Sequence, residues 1–122
     1  MFFVEKRFKF EASHYLPFHD GKCKHLHGHS WVGVVICRGS SLQETGPKQG
    51  MLLDFGTISK ALDPLVETYL DHHHLNDSLG LLNPTSEEIA RWVFDRIKGS
   101  LAGYIVGVRI EETCTSAAEY RP

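Results

Sequence analysis

Residues 8–14, FKFEASH, and residues 27–37, HGHSWVGVVIC, decide the architecture of this chain. In the first stretch Phe8, Phe10, Ala12 and His14 alternate with Lys9, Glu11 and Ser13. That period of two is the mark of a strand with one buried face, and it extends over residues 2–14. In the second stretch the β-branched Val32, Val34, Val35 and Ile36 favour a strand over residues 27–38. Its shared face carries His27, His29, Trp31, Gly33, Val35 and Cys37. A loop rich in Pro, Gly, Asp and Lys, Leu16 to Leu26, joins the two. Antiparallel pairing of these strands would set the end of the first beside the start of the second.

Downstream the pattern changes. A polar, Gly- and Pro-bearing connection occupies residues 39–50. Ile58, Ala61, Leu62, Leu65, Val66, Tyr69 and Leu70 then recur at helical spacing, with Pro64 inside the pattern removing a backbone donor and bending the helix. Asp71 to Pro84 reads as a connecting loop. Thr85 and Glu88 have the spacing of a capping box, Ile89, Val93 and Ile97 continue a helical stripe, and Gly99 ends it. Tyr104, Val106, Val108 and Ile110 alternate as a third strand that carries Glu112 onto the same face, and residues 115–120 form a short fourth. The order β-β-α-α-β-β is that of an α+β fold in one domain, residues 1–122. Two helices can cover one face of a small antiparallel sheet. The other face and the edges are left open, and a symmetric oligomer that continues the sheet between subunits would cover them.

Composition removes several function classes. The chain of 122 residues has 13 Lys+Arg against 15 Asp+Glu, which lacks the basic excess of a nucleic-acid binder. No apolar run approaches the ~18 residues of a membrane span. The N-terminus alternates charged and apolar residues and has no signal-peptide core. Cys23, Cys37 and Cys114 are odd in number and far apart, as expected of free thiols in a cytoplasmic protein.

Histidine is the outlier, at eight residues. His27 and His29 flank Gly28 and project to one face of a strand, about 7 Å apart. A lone His-x-His pair is weak evidence of a metal and is more often packing; His14 at the end of the neighbouring strand brings the two readings level. Three neutral imidazoles suit zinc and leave a fourth position for water or substrate, the pattern of a catalytic rather than a structural ion. His25 could replace a ligand, although it shares a polar loop with His19, where solvated side chains are the rule. His73 and His74 read equally as packing or surface residues. Cys23, between Lys22 and Lys24 and four residues before His27, could act as base or nucleophile. Asp71 next to His72 has the makings of an orienting pair, though such a pair is also common in surface turns. Glu112 occupies the apolar-parity face of its strand, where a bare carboxylate is costly. It either lies beyond the core rim or binds a cationic or amide-like partner through paired N–H donors.

Taken together and in order, Phe10-Glu-Ala-Ser-His14, Cys23-Lys-His-Leu-His27-Gly-His29, Asp54-Phe55, Leu70-Asp-His-His-His-Leu-Asn76, Asn83-Pro-Thr-Ser-Glu87 and Glu112-Thr113 resemble the 6-pyruvoyl-tetrahydropterin synthase family over residues 2–121. The likeness is greatest to the bacterial branch that forms 6-carboxy-5,6,7,8-tetrahydropterin in the queuosine (7-deazaguanine) pathway. The resemblance implies the tunnelling fold, a four-stranded antiparallel sheet with two helices on one face, assembled as trimers that stack into a homohexamer. It implies 7,8-dihydroneopterin triphosphate as substrate, and triphosphate and acetaldehyde as leaving products. It implies zinc on His14, His27 and His29; Cys23 as proton carrier with Asp71 and His72 as relay partners, which a neighbouring subunit could supply; Glu112 as pterin anchor; and Thr85 and Ser86 near the pterin. Glu replaces the cysteine in a relative that makes a folate precursor, so Cys23 speaks against that activity. The pyruvoyl-forming enzyme shares the zinc and relay residues and stays as an alternative, as does a non-catalytic pterin- or metal-binding protein. Lys22, Lys24, Arg7 and Lys9 are candidates for holding the triphosphate.

Overall fold

The computed structural model describes residues 1–122. Strand β1 (Phe2–His14) and strand β2 (His27–Gly39) pair antiparallel without a break, from Phe2 opposite Gly39 to His14 opposite His27. Strand β4 (Ile105–Thr113) lies on the other side of β2, and β5 (Ser116–Tyr120) closes that edge. These four strands are the antiparallel sheet anticipated from the alternation. The segment Asp71–Pro84 is more than a loop. It contains a two-residue strand, β3 (His73–His74), which pairs parallel to β1 at Ala12 and Ser13, so the sheet has five strands in the order β3-β1-β2-β4-β5. So short a strand has no periodicity to read.

Helix α1 (Phe55–Leu65) starts on the carboxylate of Asp54, which accepts from the Gly56 amide at 2.8 Å. Immediately after Pro64 the coil widens over Val66–Leu70, where the Asp71 amide reaches back five residues to the Val66 carbonyl at 2.8 Å. The helical pattern read as far as Leu70 is therefore two kinds of turn. One helical turn, α2 (Leu75–Ser78), follows β3. Helix α3 (Ser86–Ile97) packs on β4 and β5. Only half of its anticipated capping box forms. The Glu88 amide donates to Thr85 Oγ1 at 3.2 Å, but the Glu88 carboxylate pairs with Arg91 instead of returning to Thr85.

The core lies between the sheet and the helices. Phe8, Phe10, Trp31, Val35, Cys37, Val108 and Ile110 meet Ile58, Leu62, Ile89, Val93 and Ile97, all buried. Phe10 stacks on Trp31, with ring centroids 5.7 Å apart. Gly33 is required here because the Phe8 ring fills the space where a Cβ would stand. Burial pushes the Cys37 thiol up to about 11, which leaves it an inert core residue. On the opposite face Val34 and Ile36 are also buried. Val34 is flanked by Arg7 and Arg109, and Ile36 by Glu5. Arg109 bonds Glu111 and Glu119 at 3.3 Å each, and Arg7 reaches Glu111 at 3.4 Å. The long charged side chains thus roof two apolar residues with their stems.

Candidate metal centre

Three imidazoles converge where β1 ends and β2 begins. His14 stands opposite His27, and His29 is one pleat further along β2. The ring centroids lie 4.5 Å (His14–His27), 5.3 Å (His14–His29) and 4.8 Å (His27–His29) apart. Trp31 forms the floor, edge-on to His14 at 4.9 Å and His29 at 5.0 Å. The neighbouring backbone selects the ring tautomers. His14 Nδ1 donates to the Pro84 carbonyl at 2.9 Å, and His27 Nδ1 donates to the His25 carbonyl at 2.7 Å. Each bond leaves the Nε2 lone pair facing inward.

The Nε2 atoms of His14, His27 and His29 are all buried and make no hydrogen bond. Three orphaned ring nitrogens around one point are costly unless something binds them. Burial is the main cause that lowers the pKa of both His14 and His29, so the neutral, ligating form prevails. These residues fit a metal ion.

Glu112 joins the cluster. It lies one step beyond the last β2–β4 pair, Val32 with Glu111, and its Oε1 is 3.2 Å from His29 Nε2. That contact is close but not aligned as a hydrogen bond. Ser86 Oγ donates to the other oxygen, Oε2, at 3.0 Å. One donor atom from each of the four residues lies within 4.8 Å of all the others. The strand parity found Glu112, but its approach to His29 depends on how β4 is registered against β2, which alternation does not reveal.

Cys23 sits in a short turn, Lys22–Lys24, and lines a cleft of about 320 Å³ with Lys22, His27, Gly28 and His29. The thiol and two of the imidazoles therefore face one space. Asp71 and His72 are elsewhere. His72 lines an open cleft of about 520 Å³ with Glu11, Ser13, Ser30, His73 and His74, which adjoins the first through Gly28 and His29. Asp71 Oδ2 holds His72 Nδ1 at 2.9 Å, while Oδ1 accepts from the Glu11 amide at 2.9 Å. That amide bond, followed by His72, draws the Asp71 pKa down. The His72 backbone is left-handed, φ 60°, and its amide donates to the Glu11 carbonyl at 2.6 Å. A strained conformation held in this way presents an exposed imidazole in a set direction. Within one chain neither residue bonds to Cys23.

Thr85 spends its hydroxyl on the cap of α3, whereas Ser86 addresses Glu112. His74 bonds Ser13 Oγ at 3.1 Å, and His73 bonds the Glu67 carbonyl at 3.3 Å. His25 contributes its carbonyl to the site, and His19 Nδ1 accepts from the Gly21 amide at 2.8 Å. Cys114 is exposed on the turn between β4 and β5.

A mixed β-sheet covered by helices, with three histidines and a glutamate that could hold a metal ion beside a cysteine cleft, defines a domain of the tunnelling-fold class. The model of the family described as 6-pyruvoyl tetrahydropterin synthase matches residues 3–122, and the chain belongs to that family. It is 49% identical to the 6-carboxy-5,6,7,8-tetrahydropterin synthase of Synechocystis, over 98% of this chain and 93% of that protein. It is 33% identical to the enzyme of that name from Haemophilus influenzae, with 99% of each chain covered. Among solved structures, Caenorhabditis elegans 6-pyruvoyl tetrahydropterin synthase superposes with a TM-score of 0.82 at 27% identity, covering 99% of this chain and 95% of that one.

Proposed function

We propose that the chain is a zinc-dependent lyase that converts 7,8-dihydroneopterin triphosphate to 6-carboxy-5,6,7,8-tetrahydropterin, releasing acetaldehyde and triphosphate, and that it serves 7-deazaguanine (queuosine) biosynthesis in the cytoplasm. The observation that carries this reading is the trio of buried, unpartnered Nε2 atoms opening on a cleft that holds a thiol. The 49% identity to a synthase of this product favours the carboxy branch over the pyruvoyl branch.

His14, His27 and His29 would hold the ion. Zinc there supplies Lewis acidity toward the substrate's side-chain hydroxyls. Cys23 moves protons at the side-chain carbons from its position in the same cleft. Glu112, steadied by Ser86, accepts the 2-amino and ring N–H groups of the pterin in a two-point bond. Thr85 sets the start of α3 and hence the position of Ser86. Asp71 orients His72, which relays protons to Cys23 of a neighbouring subunit. The lack of any bond from Asp71 or His72 to Cys23 within one chain supports that assignment across an interface, and a homohexamer built from two trimers would supply the interface. Lys22, which lines the Cys23 cleft, is the best placed of the basic residues for triphosphate, since Arg7 is already paired with Glu111.

Incubation of zinc-loaded protein with 7,8-dihydroneopterin triphosphate tests the reading. Mass analysis should find the carboxypterin and acetaldehyde. A pyruvoyl side chain would move the protein to the sister activity, and unchanged substrate would leave a binding protein.

A further inference from the structure

We infer that Asn76 is a positioning residue for the metal centre, acting through the backbone that carries His14. The inference rests on the metal reading of the histidine cluster. Strand β3 pairs with β1 only at Ala12 and Ser13, and the chain then leaves the sheet as helix α2. The ladder would stop short of the residue that follows His14. Asn76, the second residue of α2, takes over with its side chain. Its Oδ1 accepts from the Tyr15 amide at 3.0 Å, and its Nδ2 donates to the Tyr15 carbonyl at 2.9 Å. A carboxamide has the same donor and acceptor geometry as a peptide unit, so it substitutes for a missing strand residue. The second proton of Nδ2 goes to the Leu82 carbonyl at 3.3 Å. Two residues beyond Leu82, the Pro84 carbonyl receives His14 Nδ1.

Asn76 thus ties together both determinants of the His14 ring, the strand end from which the side chain springs and the segment whose carbonyl selects its tautomer. Supporting bonds of this kind set ligand direction and affinity. Aspartate cannot replace it, because a carboxylate would face the Tyr15 and Leu82 carbonyls with no proton to offer.

The test is zinc affinity by competition with a chromophoric chelator, for wild type, Asn76→Ala, Asn76→Asp and Ser78→Ala. Ser78 lies in the same helical turn and donates to the Tyr69 carbonyl at 2.7 Å, so its loss loosens α2 without touching Tyr15. Both Asn76 variants should bind zinc roughly 10-fold or more weakly, with Ser78→Ala close to wild type. Wild-type affinity in Asn76→Ala, or equal weakening in Ser78→Ala, overturns the inference while leaving the metal reading intact. Failure of the wild type to take up zinc overturns both. Should the Asn76 variants not fold, hydrogen exchange on the wild type decides. Zinc loading should slow exchange at the Tyr15 amide, because coupling between the two bonds is reciprocal, and an unchanged rate counts against the inference.

Discussion

His27→Ala and Cys23→Ala separate two kinds of work at neighbouring positions. The first removes one of three inward-facing nitrogens and should abolish metal binding and turnover together, read by metal analysis and product formation. The second should keep full metal content and lose about 10²–10⁴ of turnover, the usual contribution of a placed proton carrier. Glu112→Gln decides what the carboxylate is for. As a pterin anchor it should keep the metal and raise KM about 10-fold or more, as expected when a charge-assisted bond is lost; loss of metal in this variant would make Glu112 a ligand instead. The three histidines are legible in sequence because each obeys the parity of its strand. The groups that orient them are not. The carbonyls of Pro84 and His25 are backbone atoms with no residue preference, and Asn76 acts from α2, far along the chain from His14.

At the scale of elements, the β1–β2 ladder carries the site, so its packing should be unforgiving. Gly33 stands opposite Phe8, whose ring occupies the volume of an added Cβ. Gly33→Ala should cost about 1–3 kcal/mol by overpacking, measured by denaturant titration, and wild-type stability would show that the Phe8 ring can move aside. The long strands and α3 were readable because their periods repeat over many residues. Strand β3 and the widened turn after Pro64 were not. The first is too short to alternate, and the second keeps the helical pattern of apolar residues while changing only which carbonyl each amide reaches.

On the scale of the whole molecule, neither Asp71 nor His72 bonds Cys23 within the chain, and the proposed relay between them is one that a second copy would complete. Mixing Cys23→Ala with His72→Ala chains under conditions of subunit exchange tests this. If the relay crosses an interface, roughly a quarter of the sites regain both wild-type groups, with activity to match. If it lies within one chain, every site lacks one group and mixing restores nothing.

Side-chain period and residue type by themselves determined the α+β order and the identity of the three converging histidines. Both depend on local geometry: a strand turns successive side chains to opposite faces, so equal parity over a known pairing suffices to place them. Three things were decided only by tertiary structure: the approach of Glu112 to His29, the carbonyls that aim the rings, and the placing of His72 and Cys23 on different clefts. Each depends on how separate segments are registered against one another, and that is settled by the packing of the whole sheet and its helices rather than by any short run of residues.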